Sequence, residues 1–156
     1  MTESTPGDRV VATNRKAHHE YHILETVEAG LVLTGSEIKS VRAGRISLQE
    51  AYAVIDRGEA WLESAHIAGY AMAGYADHEP LRRRKLLLHR KEIRELQRSV
   101  QVKGMTLVPL RLYLKGGRAK LELALAKGKK DYDKRESIRE RETQRAIQRE
   151  LGRRDR

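Results

Sequence analysis

The chain has 156 residues, with 32 Lys and Arg against 22 Asp and Glu, a formal net charge of +10, and no Cys. That excludes a disulfide framework and thiolate metal sites, and no apolar run approaches the roughly 20 residues that span a bilayer. The cationic excess favours a polyanionic partner, nucleic acid above an acidic membrane, because no segment has the broad apolar face of a membrane-surface helix. With aromatics at only 4% and Phe absent, backbone and shape recognition is expected rather than many stacked bases.

Residues 1–9 are polar and acidic, lack the apolar centre of a signal peptide, and read as a disordered start of a cytoplasmic chain. Val10-Val-Ala leads into the basic, His-rich stretch Asn14 to His22. Tyr21 to Val27 reads as a strand, Glu28-Ala29-Gly30 as a turn, and Leu31 to Thr34 as a returning strand. Ser36 can cap a short helix, Glu37 to Ala43, with Gly44 as its stop. Ser47 to Ile55 and Ala60 to Ile67 form a strand pair joined by the hairpin signal Asp56-Arg-Gly-Glu. Trp61 is expected in the core or at a barrel mouth.

Charge then splits along the chain. Residues 50–81 carry six acids and one Arg and are not expected to face phosphate. Residues 82–103 carry nine Lys and Arg against two Glu, starting with the cluster Arg82-Arg83-Arg84-Lys85. That run is either a solvated face or a phosphate-facing patch, and its segregation from the acids favours the patch. Leu86, Leu87 and Leu88 read as core, with contact to a base or ribose as the sharper alternative. From His89 to Val102, Ile93, Leu96 and Val100 share one helical face while Arg90, Arg94 and Arg98 share another. Met105 to Leu114 is a strand whose Pro109 needs an edge or a bulge. Lys115-Gly-Gly-Arg is a turn. In Ala119 to Ala126, Leu121, Leu123 and Leu125 alternate against Lys120, Glu122 and Ala124.

The sum is a mainly β domain over residues 10–127, an OB-fold-like antiparallel barrel with two or three flanking helices. Residues 128–156 form a basic tail. From Lys127 onward there are twelve Lys and Arg, seven acids and few apolar residues. That is too little apolar surface to offset the ordering entropy, so the tail is expected to be disordered until it meets an anionic partner. Catalytic signals are weak. His18-His-Glu-Tyr-His misses the His-Glu-x-x-His spacing by one residue, and no phosphate-binding or nucleophile-elbow motif occurs. No metal site, cofactor or enzyme activity is expected. A small metal enzyme using His18, His19 and His22 and a general RNA-binding domain with a nonspecific tail are the alternatives.

Several blocks in fixed order resemble the SsrA-binding protein (SmpB) family: Asn14-Arg-Lys-Ala with His19-Glu-Tyr, Glu28-Ala-Gly-Leu, Gly35-Ser-Glu-Ile-Lys-Ser-Val-Arg-Ala-Gly, Arg84-Lys-Leu-Leu-Leu, and Ala126-Lys-Gly-Lys-Lys with Asp133-Lys-Arg. The resemblance implies an OB-fold-like barrel that binds the tRNA-like domain of tmRNA. It also implies delivery of alanylated tmRNA, with elongation factor Tu and GTP and after alanyl-tRNA synthetase, to stalled ribosomes. The tail would enter the decoding centre and the empty mRNA channel. The positions implied for RNA are Asn14, Arg15, His19, Glu28, Arg84, Lys85, Leu86, Leu87, Leu88 and His89, the last standing where the family commonly has Asn. Glu28 would accept from a base amino group or a 2′-hydroxyl, or orient an Arg. In the tail, Gly128, Lys129, Lys130, Asp133, Lys134 and Arg135 match the family. Tyr132 could stack on a ribosomal base, and Ile147 and Leu151 are the apolar candidates for packing in the channel.

Overall fold

The computed structural model describes residues 9–70, 74, 77–129 and 145–149. Among these the elements run β1 (Arg9–Thr13), α1 (Arg15–Glu20), β2 (Tyr21–Leu31), α2 (Gly35–Arg42), β3 (Ile46–Ser47), β4 (Tyr52–Asp56), β5 (Glu59–Glu63), β6 (His66–Ile67), β7 (Arg84–Leu87), α3 (Arg90–Val100), β8 (Met105–Lys115) and β9 (Arg118–Gly128). Strands β8, β4, β5, β7, β2 and β9 pair in that order, and β9 returns to pair with β8. The result is a closed antiparallel barrel, OB-fold-like, in which closure leaves these strands no free edge. β1 lies along the far half of β8, beyond the short β4 contact. β3 and β6 make a separate two-stranded pair.

The barrel interior is aliphatic. Leu62, Leu112, Leu121 and Leu123 are fully buried, with Ala29 and Ala60 giving room between them. Each buried Leu contributes roughly 2 kcal/mol of transfer free energy. A second, smaller cluster lies outside the wall, where Ala17 of α1 packs on Val108, Leu110, Ala124 and Ala126. The strict alternation expected in β9 therefore stops at Leu123: Ala124 and Ala126 face outward but are covered by α1.

Several local expectations need correction. No turn occurs at Glu28-Ala29-Gly30; β2 runs straight through it. Gly30 is needed for close approach instead, since a Cβ there would sit 3.2 Å from the Leu87 Cβ of β7. The His-rich stretch contains a helix, α1. Its N-cap Asn14 accepts from the Ala17 N–H and donates to the Leu48 and Pro109 carbonyls. Thr34, not Ser36, caps α2, completing a capping box with Glu37. The hairpin turn does form, with Arg57 at φ 52° and Gly58 at φ 76°, and Pro109 sits at a β-bulge. Trp61 lies on the outer wall of β5, half-buried, with the Arg83 guanidinium 4.4 Å above its ring centroid.

The largest departure concerns the basic run. Arg84 is fully buried. Its Nε donates to Glu37 Oε2 at 2.6 Å, and its other nitrogens donate to the carbonyls of Ala65, Pro80 and Glu79. Arg82 donates to the second Glu37 oxygen at 2.5 Å. Arg83 pairs with Glu63 at 3.0 Å and Asp56 at 3.5 Å, and Lys85 with Glu59 at 3.2 Å. Glu37 of α2 and the acids of β4 and β5, all remote in sequence, thus neutralise the run in space.

Glu37 links these elements. Burial pushes its carboxyl up, but hydrogen bonds from Arg82, the Thr34 N–H and Arg84 outweigh that and hold it at about 2, against an ordinary 4.5. A depressed folded-state value means the stabilisation is complete above about pH 4.5 and is lost as pH falls towards 2. Arg84→Ala should cost roughly 3–5 kcal/mol, because it removes the buried partner of Glu37 Oε2 and the donor to three backbone carbonyls. Urea midpoints should fall between pH 5 and pH 2 in the parent, and Glu37→Gln should flatten that profile while lowering its neutral-pH plateau. An unchanged acid profile would remove Glu37 from the account.

Candidate nucleic-acid interface

Outside the barrel, β2, β9 and β8 form one wall. Register places Glu28 opposite Glu122 and Glu122 opposite Arg111; one pair further, Gly30 faces Lys120 and Lys120 faces Tyr113. Two carboxylates directly across a strand pair repel each other. The wall resolves this with donors: Arg111 Nε reaches Glu122 Oε2 at 2.6 Å, and the Tyr113 hydroxyl donates a short hydrogen bond to Glu28 Oε2. Lys115 Nζ stands 3.9 Å from the same Glu28 oxygen. Burial and the adjacent Glu28 carboxylate both push the Tyr113 hydroxyl well above its ordinary range, so it stays a donor. Glu28 Oε1 has no protein partner among the described residues. It is a fixed, outward-facing acceptor for an amino or hydroxyl group.

Beside Glu28 a cleft of about 310 Å³ is lined by Gly30, Leu87, Leu88, His89, Glu92 and Lys120. Alternation along β7 puts Leu86 in the core at 1% exposure and turns Leu87 outward at 55%. An exposed Leu between Lys120 and His89 gives an apolar surface for a ribose or base face, framed by hydrogen-bonding groups. His89 precedes α3, and its backbone N–H donates to Glu92 Oε1, leaving the ring at the surface.

The implied positions therefore divide. Glu28, Leu87, Leu88 and His89 converge on this cleft, and Lys85, half-buried and ion-paired with Glu59, lines the adjoining groove that shares Leu87 and Leu88. Asn14, Arg84 and Leu86 do not fit an RNA-contacting role: each is buried with its groups used internally, in the α1 cap, the Glu37 pair and the core. Arg15 and His19 are exposed on α1, at the other end of the wall. Six residue steps along β9 take Lys120 to Ala126 beneath α1, about 20 Å at strand spacing. Gly128 pairs with Tyr21, so the chain leaves the barrel at the α1 end, and Lys129 follows directly. Residues 145–149 are helical with Ile147 exposed. Lys130, Tyr132, Asp133, Lys134, Arg135 and Leu151 lie outside the described residues.

Tyr113, Arg111, Glu122 and Lys120 escaped the sequence reading. The hairpin count from Gly116-Gly117 pairs 113 with 120 and could have found half of this wall; nothing local announced that β2 would bring Glu28 alongside. Among the described residues no group of three or more His, Asp or Glu is placed to hold a metal. Nor is any helix there long and apolar enough to cross a membrane.

Comparison with known proteins converges on one family. The SmpB protein family matches residues 11–153. An SsrA-binding protein from Roseiflexus castenholzii is 60% identical over 150 residues, 96% of this chain and 95% of that one. One from Corynebacterium glutamicum (strain R) is 58% identical over 145 residues, covering 93% and 88%. A solved chain described as "tmRNA-SmpB: a journey to the center of the bacterial ribosome" is 49% identical, with a TM-score of 0.64 over 74% of this chain and 82% of that one. The chain belongs to the SmpB family of SsrA-binding proteins.

Proposed function

We propose that this chain binds tmRNA through its tRNA-like domain and acts with it on stalled ribosomes in trans-translation. The observation that carries this reading is the cleft in which Glu28, Leu87, Leu88 and His89 meet beside Lys120. Relatives named for SsrA binding, and a structural neighbour described with tmRNA and the ribosome, support it. The wall holds few base-stacking rings and presents a fixed carboxylate with an exposed Leu. That suits the wide, shallow minor-groove surface and unstacked loops of a folded RNA, where 2′-hydroxyls and base edges are displayed. The RNA, once alanylated by alanyl-tRNA synthetase, would be carried by elongation factor Tu and GTP, in the cytoplasm. This chain performs no covalent step in that sequence.

Geometry also suggests a division of labour. The cleft sits at one end of β9, and the chain reaches Lys129 at the other, about 25 Å away at strand spacing. A body that holds RNA at one end can thus direct a basic tail into the decoding centre and mRNA channel.

Binding to the tRNA-like domain at near-physiological salt should exceed binding to an elongator tRNA of equal length at least tenfold, about 1.4 kcal/mol; equal binding would overturn the reading. Glu28→Ala should reduce that preference although it removes a negative charge. Tyr113→Phe, which keeps the ring but removes the hydroxyl donor to the carboxylate, should cost about tenfold, the lower end for one hydrogen bond to a charged group. Deleting residues 130–156, which leaves β9 whole, should keep tmRNA affinity within about twofold and abolish peptide tagging on stalled ribosomes. Loss of tmRNA binding by this folded truncation would defeat the division.

A further inference from the structure

A second cleft, about 660 Å³ in volume, runs between the β4–β5 turn and α3. Its cations are Arg57, Lys85, Arg90 and Arg94, against the single acid Glu59, which Lys85 already engages. It meets the Glu28 cleft at Leu87 and Leu88, which line both.

Three of its cations stand where local structure disfavours them. Arg57 holds φ 52° in a two-residue hairpin turn, a position that Asn, Asp or Gly occupies at lower cost. Arg90 opens α3, where the positive end of the helix dipole repels a cation. Arg90 and Arg94 are four apart on one helical face, a repulsive like-charge pair. Neither the Arg57 nor the Arg90 guanidinium has a partner among the described residues, and Arg94 Nε reaches only the Arg90 carbonyl at 3.4 Å. Each placement costs little alone. Together they gather three uncompensated guanidiniums around one groove, and an anion there would relieve all three at once.

We infer that this groove is a phosphate track: it takes the sugar-phosphate backbone of the RNA whose recognised loop occupies the Glu28 cleft. This rests on the RNA-binding reading proposed above and extends it to a second contact region. The occupant is a continuous polyanion rather than a single bound ion. The groove is open, its cations are spread over a turn, a strand end and two helical turns, and its floor includes the aliphatic Ile93 and Leu86. Backbone contacts of this kind set register and affinity without reading sequence.

The test is the triple variant Arg57→Ala, Arg90→Ala, Arg94→Ala in the full chain, all three residues being exposed. Its control is Lys91→Ala, Arg98→Ala, Lys103→Ala, which removes the same charge at exposed positions that do not line the groove. Binding to the tRNA-like domain and to an elongator tRNA is measured across salt concentrations, with melting temperatures recorded for each protein. The groove variant should bind both RNAs about tenfold more weakly at unchanged melting temperature, and its slope of log affinity against log salt should fall by about 2 to 3. Its preference between the two RNAs should persist. Arg→Lys at the same three positions should restore most of the slope, since a phosphate accepts either cation. An unchanged slope, or a loss equal to that of the control, would overturn the track. Absence of preference in the parent protein would overturn the tmRNA reading instead, and the slope comparison would still decide the groove.

Discussion

The buried Glu37–Arg84 pair sets the geometry on which the rest depends. Removing two charges from water costs several kcal/mol per ion, and the cost is offset only where every donor and acceptor is used. Here Glu37 caps α2 and receives both Arg82 and Arg84, while Arg84 also ties down the carbonyls of Ala65, Glu79 and Pro80. One ion pair thus fastens α2, the segment after β5 and the start of β7. It also fixes parity along β7. With Arg84 facing inward, Lys85 faces out, Leu86 in and Leu87 out. A one-residue slip would bury Lys85 and Leu87 and expose Arg84 and Leu86. The exposed Leu of the cleft beside Glu28 is therefore a consequence of the buried Arg three positions before it.

The same parity argument governs the neighbouring wall. β2 can pass Glu28 to the outside and Ala29 to the core only by continuing straight past Gly30, where the missing side chain lets β7 approach. Once there, Glu28 faces Glu122 and needs help. Tyr113 and Arg111 supply it from the far strand, so a residue pair that would weaken an ordinary sheet becomes a held acceptor. A flexible Glu on a turn would have to be ordered on binding, at up to about 2 kcal/mol of rotamer entropy. This one is held in advance by Tyr113 and Lys115.

Much of this was legible in the sequence, and the failures have physical causes. The β8–β9 hairpin, α2, α3 and the Asp56–Glu59 turn declared themselves through period, caps and glycines, because their determinants lie within a few residues. Gly30 misled because a glycine that opens space for another strand looks, locally, like one that makes a turn. Asn14 and Arg84 were placed with the RNA by resemblance, yet the structure uses both internally; a family motif marks what a position must be without saying whether fold or ligand demands it. The sharpest lesson is the charge map. Acids in 50–81 and bases in 82–103 are segregated along the chain, but antiparallel pairing of β5 with β7 lays Glu59 and Glu63 beside Lys85 and Arg83. Segregation in one dimension became neutralisation in three.

That neutralisation decides which cations remain available to an anion. Arg84 is committed, since releasing it would leave Glu37 Oε2 and three backbone carbonyls without their donor, at a cost near 3–5 kcal/mol. Lys85 is not. Its bond to Glu59 joins two side chains that are 42% and 48% exposed, a class of pair worth about 0–1 kcal/mol and weakened by salt. A phosphate beside Lys85 can replace that partner at almost no cost, whereas no phosphate reaches Arg84. The densest basic run in the folded domain is therefore mostly scaffold. Among the described residues, the cations not committed to a carboxylate include Lys120 on the wall, Arg57 on a turn, and Arg90 and Arg94 on α3. They are spread around the clefts rather than stacked in one patch, and an extended, folded polyanion can satisfy such an arrangement where a small anion would meet only one or two of them.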